Sequence, residues 1–175
     1  MDRPPKPPHP VVAILLGVIL NFVLGRIMLD LKAPVYQDAI GTITVTLLCG
    51  WRTGAAVGVL STIVGGISNF HLFYFVFTQV SIAAFTGFAA RRGGFRSFPR
   101  VILTGLALGF IAAAVSAPGA ALAFGKPAAF FGNTAANLRK VLFTDEIWRE
   151  PLDKIVQCLV AFALVRLYLK KNPKI

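Results

Sequence analysis

Charge is scarce in this 175-residue chain, and acid is scarcer still: Asp, Glu, Lys and Arg make up 14%, with 7 acidic residues against 18 Lys and Arg. An ordinary soluble domain carries nearer to about 25% charge. With 56% of residues apolar and a mean hydropathy of +0.72, the composition is that of an integral membrane protein. Cysteine is nearly absent. Cys49 and Cys158 lie in apolar stretches with no CxxC or Cys/His spacing, so neither a disulfide framework nor a zinc site is expected. A Walker A loop, GxSxG, HExxH and paired carboxylates within an apolar run are all missing. Neither ATP hydrolysis nor the buried charge of a proton-driven pump is therefore expected, and the chain reads as neither an enzyme nor a cofactor carrier. No internal repeat supports an inverted-repeat transporter. The basic, proline-rich MDRPPKPPHP lacks a small-x-small cleavage site after the apolar run that follows it, so that run is expected to stay as a helix.

What is present is a series of apolar segments, each near the roughly 20 residues that cross a bilayer. They run from about Pro10 to Met28, Tyr36 to Trp51, Thr53 to Ser68, Leu72 to Ala90, Val101 to Phe124 and Pro151 to Leu169. The second is the weakest, carrying Asp38, Gly41 and the threonines Thr42, Thr44 and Thr46, whose hydroxyls can bond back to the preceding helical turn. Only Trp51-Arg52 separates it from the third, which implies a tight hairpin. Pro118-Gly119 is expected to kink or break the fifth segment near its far end. The stretch from Gly125 to Glu150 is amphipathic, too charged to span and too apolar for a simple linker, and is expected to lie over the membrane surface. The expected fold is thus all-α: an integral membrane six-helix bundle over residues 10–170, with an amphipathic outer loop between helices five and six. Residues 1–9 are expected to form a disordered cytoplasmic tail and 171–175 a second tail.

Basic residues orient this bundle. With both termini inside, the inner segments hold Arg3, Lys6, Arg52, Arg91, Arg92, Arg96, Arg100, Arg166, Lys170, Lys171 and Lys174 against Asp2 alone. The outer segments hold Arg26, Lys32, Lys126, Arg139, Lys140, Arg149 and Lys154 against Asp30, Asp38, Asp145, Glu146, Glu150 and Asp153. The excess lies almost wholly on one side, as cytoplasmic loops of bacterial or archaeal inner-membrane proteins require. The net charge of +11 is therefore a topology signal with anionic-lipid contact, and nucleic acid is not an expected partner.

Two groups of residues invite a functional interpretation. Small residues recur at Ala13-x-x-x-Gly17-x-x-x-Asn21 and at Gly54-x-x-x-Gly58, which lets another helix approach closely, either within this chain or from a second membrane protein. Polar and aromatic residues gather at the outer ends: Asp38, Asn69, His71, Phe73, Tyr74, Gln79, Asn133, Asn137, Trp148 and Asp153, with Glu150 and Lys154 beside the last. That mixture of aromatic walls and a few polar groups suits a small-molecule site, and equally an interfacial aromatic belt with helix caps.

Two stretches carry a family resemblance. PVYQDAIGTITVTLLCGWRTGAAVGVLSTIVGGISN, from Pro34 to Asn69, resembles a stretch common in substrate-binding membrane subunits (S components) of energy-coupling factor transporters. EPLDKIVQCLVAFAL, from Glu150 to Leu164, resembles the Pro-x-Asp-Lys opening of their last helix. The resemblance implies capture of a vitamin or related micronutrient from outside, with two cytoplasmic ATPases supplying energy through a membrane coupling subunit. It also implies that this subunit docks on a small-residue stripe of the first helix, here Ala13 and Gly17, with a glycine in the second position. A non-transport scaffold or sensor module of six helices is the alternative, and the outer stretch from Gly125 to Glu150 discriminates, since a scaffold has little need of it.

Overall fold

The computed structural model describes residues 8–31, 33, 36–123 and 145–171. Among them there are only helices: α1 (Pro10–Asp30), α2 (Ile40–Cys49), α3 (Trp51–Ser68), a 3-10 helix (Phe70–Phe75), α4 (Val76–Arg91), α5 (Phe98–Ala123) and α6 (Asp145–Lys171). Pro10–Met28, Phe70–Arg91 and Phe98–Ala120 are each long and apolar enough to cross a membrane, the mark of a membrane protein. Residues 1–7 of the expected tail 1–9, residues 172–175 of the expected tail 171–175, and residues 125–144 of the expected outer loop lie outside the described residues.

α1 has the solvent pattern of a soluble helix turned inside out. Its buried stripe is Ala13, Gly17 and Asn21, small or polar, while Val12, Leu15, Leu16, Ile19, Phe22 and Val23 are exposed. Lipid accepts such an outward face, and the small stripe lets backbones approach. A Cβ on Gly41 of α2 would run into the carbonyl of Gly17. Proline at the first position leaves no donor wasted, and Ala13 N makes the opening bond to His9 O at 3.0 Å.

α2 is shorter than the expected segment, ten residues or roughly 15 Å, and packs against α1, α3, α4 and α6. Ile40, Gly41, Thr42, Ile43, Val45 and Thr46 are buried, so neighbouring helices surround it. Thr46 Oγ1 donates to Thr42 O at 2.7 Å, the back-bonding expected of its threonines. Gly50 alone joins α2 to α3, at φ 92° and ψ 163°, a conformation open essentially to glycine only. The tight hairpin is therefore built on one residue.

The fourth apolar segment begins as the 3-10 helix, whose first turn is capped by Asn69 Oδ1 accepting from His71 N at 3.2 Å. Pro118 neither ends nor breaks α5, which continues to Ala123, and Gly119 gives the backbone of Tyr74 its room. α5 meets α6 backbone to backbone: a Cβ on Gly109 would strike Pro151 Cα, and one on Gly105 would lie 2.6 Å from Ile155 Cα. The larger apolar core joins Ile43, Ile82, Val101, Leu108, Ala112, Cys158 and Ala161; a smaller one joins Ala13, Val45 and Val57.

Alternating helix directions place the Arg91–Arg100 turn, Arg52 and Arg166 at one end of the bundle. Arginines there lie over aromatic rings: Arg52 over Trp51 at 5.8 Å, Arg92 over Phe88 at 4.9 Å and Arg166 over Phe162 at 4.8 Å. The opposite end carries Asp38, the 3-10 helix and the start of α6.

Candidate functional site

Four polar residues of α6, Glu150, Asp153, Lys154 and Gln157, fall at i, i+3, i+4 and i+7 and therefore share one face. That face is turned into the bundle. Asp153 is 0% exposed and the Lys154 side chain 3%, against expectation, since the sequence shows no paired carboxylates or buried charge. The correction has a simple cause: the carboxylates that meet Lys154 come from segments more than a hundred residues apart as well as from its own helix.

Asp153 is saturated. Its Oδ1 accepts from Tyr36 N at 2.9 Å, Gln37 N at 3.0 Å and Gln37 Nε2 at 3.0 Å. Its Oδ2 accepts from Lys154 Nζ at 2.7 Å and Gln157 Nε2 at 2.6 Å. The irregular stretch before α2 thus has the backbone donors of Tyr36 and Gln37 satisfied inside the protein. Gln37 is held at φ 52°, a left-handed conformation that costs a non-glycine residue about 1–3 kcal/mol. Three bonds to one carboxylate oxygen from this segment offset that strain.

Asp38, one residue on, is held differently. Lys154 Nζ and Gln157 Nε2 each lie 3.5 Å from its Oδ1, and Gln79 Nε2 lies 3.4 Å from its Oδ2. Its side chain is 49% exposed. One aspartate is locked and the other is loosely held at the surface. Glu150 completes the group, with Oε2 3.6 Å from Lys154 Nζ. Three carboxylates thus surround one ammonium.

A directed chain of hydrogen bonds reaches Asp38 from the far side of the bundle. Asn21 Nδ2 on α1 donates to Ser61 Oγ and Thr42 Oγ1, both at 3.0 Å, while its Oδ1 accepts from Gly41 N at 2.7 Å. Thr42 Oγ1 donates to Gln79 Oε1 at 3.1 Å, which turns the amide so that its Nε2 faces Asp38. Every step passes donor to acceptor towards the exposed carboxylate. Gly58 makes this possible, because a Cβ there would lie 2.8 Å from Gln79 Cβ.

The structure therefore brings together Asp38, Gln79 and Asp153 of the sequence candidates. Asn69, His71, Phe73 and Tyr74 sit on the exposed 3-10 turn, where Phe70 meets Phe73 and Tyr74 edge-on at 5.5 and 6.1 Å. Asn133, Asn137 and the side chain of Trp148 lie outside the described residues. The expected docking stripe faces inward: Ala13, Gly17, Gly54 and Gly58 are all buried. Their small surfaces are covered by Val57, Thr46 and Gln79 of this chain, which leaves none of them for a partner. Sequence reasoning missed Gln157, Gln37 and the Gly105-x-x-x-Gly109 pair. The heptad spacing from Glu150 to Gln157 was the available signal for the first. Nothing local marks Gln37.

Among the described residues no group of His, Cys, Asp and Glu side chains is arranged to hold a metal ion. The arrangement is suited to recognition through hydrogen bonds and charge. No family model, no curated protein and no solved structure matches this chain.

Proposed function

We propose that this chain is a substrate-capture subunit of a membrane uptake system, a six-span protein that binds a vitamin-like micronutrient at the end that carries Asp38 and hands it on for ATP-driven import. The observation that carries the proposal is Asp38: a half-exposed carboxylate fed by a one-way chain of donors from within an otherwise apolar bundle. Polar groups at membrane depth are costly and mark ligand or ion paths. In this reading α1 to α6 each cross the bilayer, both termini and the Arg91–Arg100 turn lie in the cytoplasm, and the site opens outside. Energy comes from two cytoplasmic ATPases through a membrane coupling subunit, in keeping with the resemblance in the two stretches that contain Asp38 and Asp153. The coupling subunit meets a surface other than the buried small-residue stripe.

Mass spectrometry of small molecules extracted from the purified, detergent-solubilised protein tests this directly. A stoichiometric, water-soluble, vitamin-sized compound is the expected result. An empty protein that also binds no water-soluble vitamin overturns it. A scaffold or sensor module is the second reading, favoured by the closure of Lys154 on carboxylates of its own chain; the empty protein is its expected outcome.

A further inference from the structure

Around Asp38 and Lys154 the donors already face partners. Lys154 has three N–H bonds, and three carboxylates face them, Asp153 at 2.7 Å, Asp38 at 3.5 Å and Glu150 at 3.6 Å. The amide hydrogens of Asn21, Gln79 and Gln157 are likewise directed at partners within the network. Arg149 donates to Ala33 O at 3.3 Å and lies over the Tyr36 ring at 5.2 Å. Donors are committed.

Acceptors are left over. Gln157 is 0% exposed, and its amide orientation is fixed because the NH2 end must face both Asp38 and Asp153. Its Oε1 is consequently buried with no hydrogen-bond partner among the described residues. Glu150 Oε2 is also buried without a hydrogen bond among the described residues, where it pairs with Lys154 at 3.6 Å. A buried acceptor left unmade costs about 1–3 kcal/mol, which a ligand donor recovers. Asp38 accepts only contacts of 3.4 to 3.5 Å and is half exposed. Among the described residues of this cluster, three carboxylates face Lys154 and outnumber the cations even when Arg149 is counted with it.

From these leftover acceptors and this excess of negative charge we infer that the site selects a small organic cation. The ligand class is an ammonium, an amidinium or a positively charged, amino-substituted heteroaromatic ring. Asp38 is its charged partner and Gln157 Oε1 a second acceptor. The inference rests on the capture reading above and names the substrate class for that same site. An anion beside Asp38 meets Lys154, Gln79 and Gln157, whose donors already face partners, and adds like charge to three carboxylates. A neutral ligand gains only uncharged hydrogen bonds, about half as strong. The exposed aromatic side chains at this end, Tyr36, Phe73 and Tyr74, are of the type on which cations stack, and Tyr36 already carries Arg149.

Isothermal titration of the full-length protein in detergent micelles against a panel sorted by charge tests the inference. The cations are choline, putrescine and thiamine, the neutral probes pyridoxine and riboflavin, and the anions nicotinate and biotin. Binding of a cation in preference to the neutral and anionic probes is expected. Asp38→Asn should weaken it by about 10- to 100-fold, the worth of a hydrogen bond to a charged group, and Asp38→Glu should recover part of the loss. The wild-type ranking decides the ligand class whether or not a variant folds. Preferred binding of a neutral or anionic probe overturns the cation inference and leaves the capture reading standing. A cation bound with unchanged affinity by folded Asp38→Asn overturns the assignment of the site. Silence across all seven probes, with no small molecule in the extract, overturns both.

Discussion

Asp38 and Asp153 share one amide: Gln157 Nε2 lies 2.6 Å from Asp153 Oδ2 and 3.5 Å from Asp38 Oδ1. The short contact belongs to the aspartate that accepts five donors and the long one to the aspartate that faces out. Two like charges are thus tied to one donor while Lys154 offsets their repulsion, and the two carboxylates have separable consequences when removed.

Asp153→Ala strips the partners from Tyr36 N and Gln37 N, from Gln37 Nε2 and from Lys154. It is expected to lower stability by about 3–5 kcal/mol, the cost of breaking a buried charge pair. Asp38→Ala removes only long contacts at a half-exposed site and should cost less than about 1 kcal/mol. Thermal melts of the two purified variants check the contrast, and equal losses would contradict the division of roles.

Lys154→Met leaves Asp38, Glu150 and Asp153 facing one another with no ammonium between them. The expected loss is about 3–5 kcal/mol. Adding Asp153→Asn removes one of the stranded charges while keeping an oxygen for the Tyr36 and Gln37 amides, so the double variant should melt above Lys154→Met. A double variant that melts lower still would show that the charges do not interact as described.

Glycines at helix crossings should behave differently from the glycine at the hairpin. Gly109→Leu and Gly17→Leu drive side chains into Pro151 and Val57 and are expected to cost at least about 1–3 kcal/mol by overpacking, with loss of ligand binding. Gly50→Ala meets nothing within 4 Å, so its cost, about 1–3 kcal/mol, comes from the backbone conformation alone. Trimming Val57 to Ala should rescue Gly17→Leu in part, and no neighbour substitution should rescue Gly50→Ala.

Orientation is open to labelling. In a background lacking Cys49 and Cys158, a cysteine at Ser97 beside the four arginines of the turn should resist an impermeant thiol reagent in intact cells, while one at exposed Asn69 should react. The opposite pattern reverses the bundle in the membrane.

Much of this architecture is visible in the residue order, because a spanning helix must be continuously apolar and its ends must be punctuated. α1, α3 and α4 end within a few residues of where the apolar runs stop, and the Arg91–Arg100 turn lies where Gly and Pro cluster. α2 and α6 depart most. Asp38 looks like the first turn of a helix by composition, but Asp153 captures the backbone just before it and delays α2 to Ile40. α6 extends back to Asp145, beyond Pro151, although a proline at the seventh helical position forfeits one i→i−4 bond; Gly109 gives it room. Asp38, Gln79 and Asp153 stand out singly as polar residues in apolar runs, yet their convergence depends on how α2, α4 and α6 pack. The small residues at Gly54 and Gly58 illustrate the same limit: spacing reports that something approaches closely, and only packing says what.

The polar cluster around Asp38 and Asp153 is closed only by α6, which is synthesised after α1 to α5. Until Lys154 arrives, Asp38 has no ammonium beside it, and the amides of Tyr36 and Gln37 have no acceptor in Asp153. The first five helices by themselves therefore carry an unsealed seam of unpaired charge and unsatisfied backbone donors, which is costly away from water. The contacts that shape the site thus also tie the first five helices to the sixth.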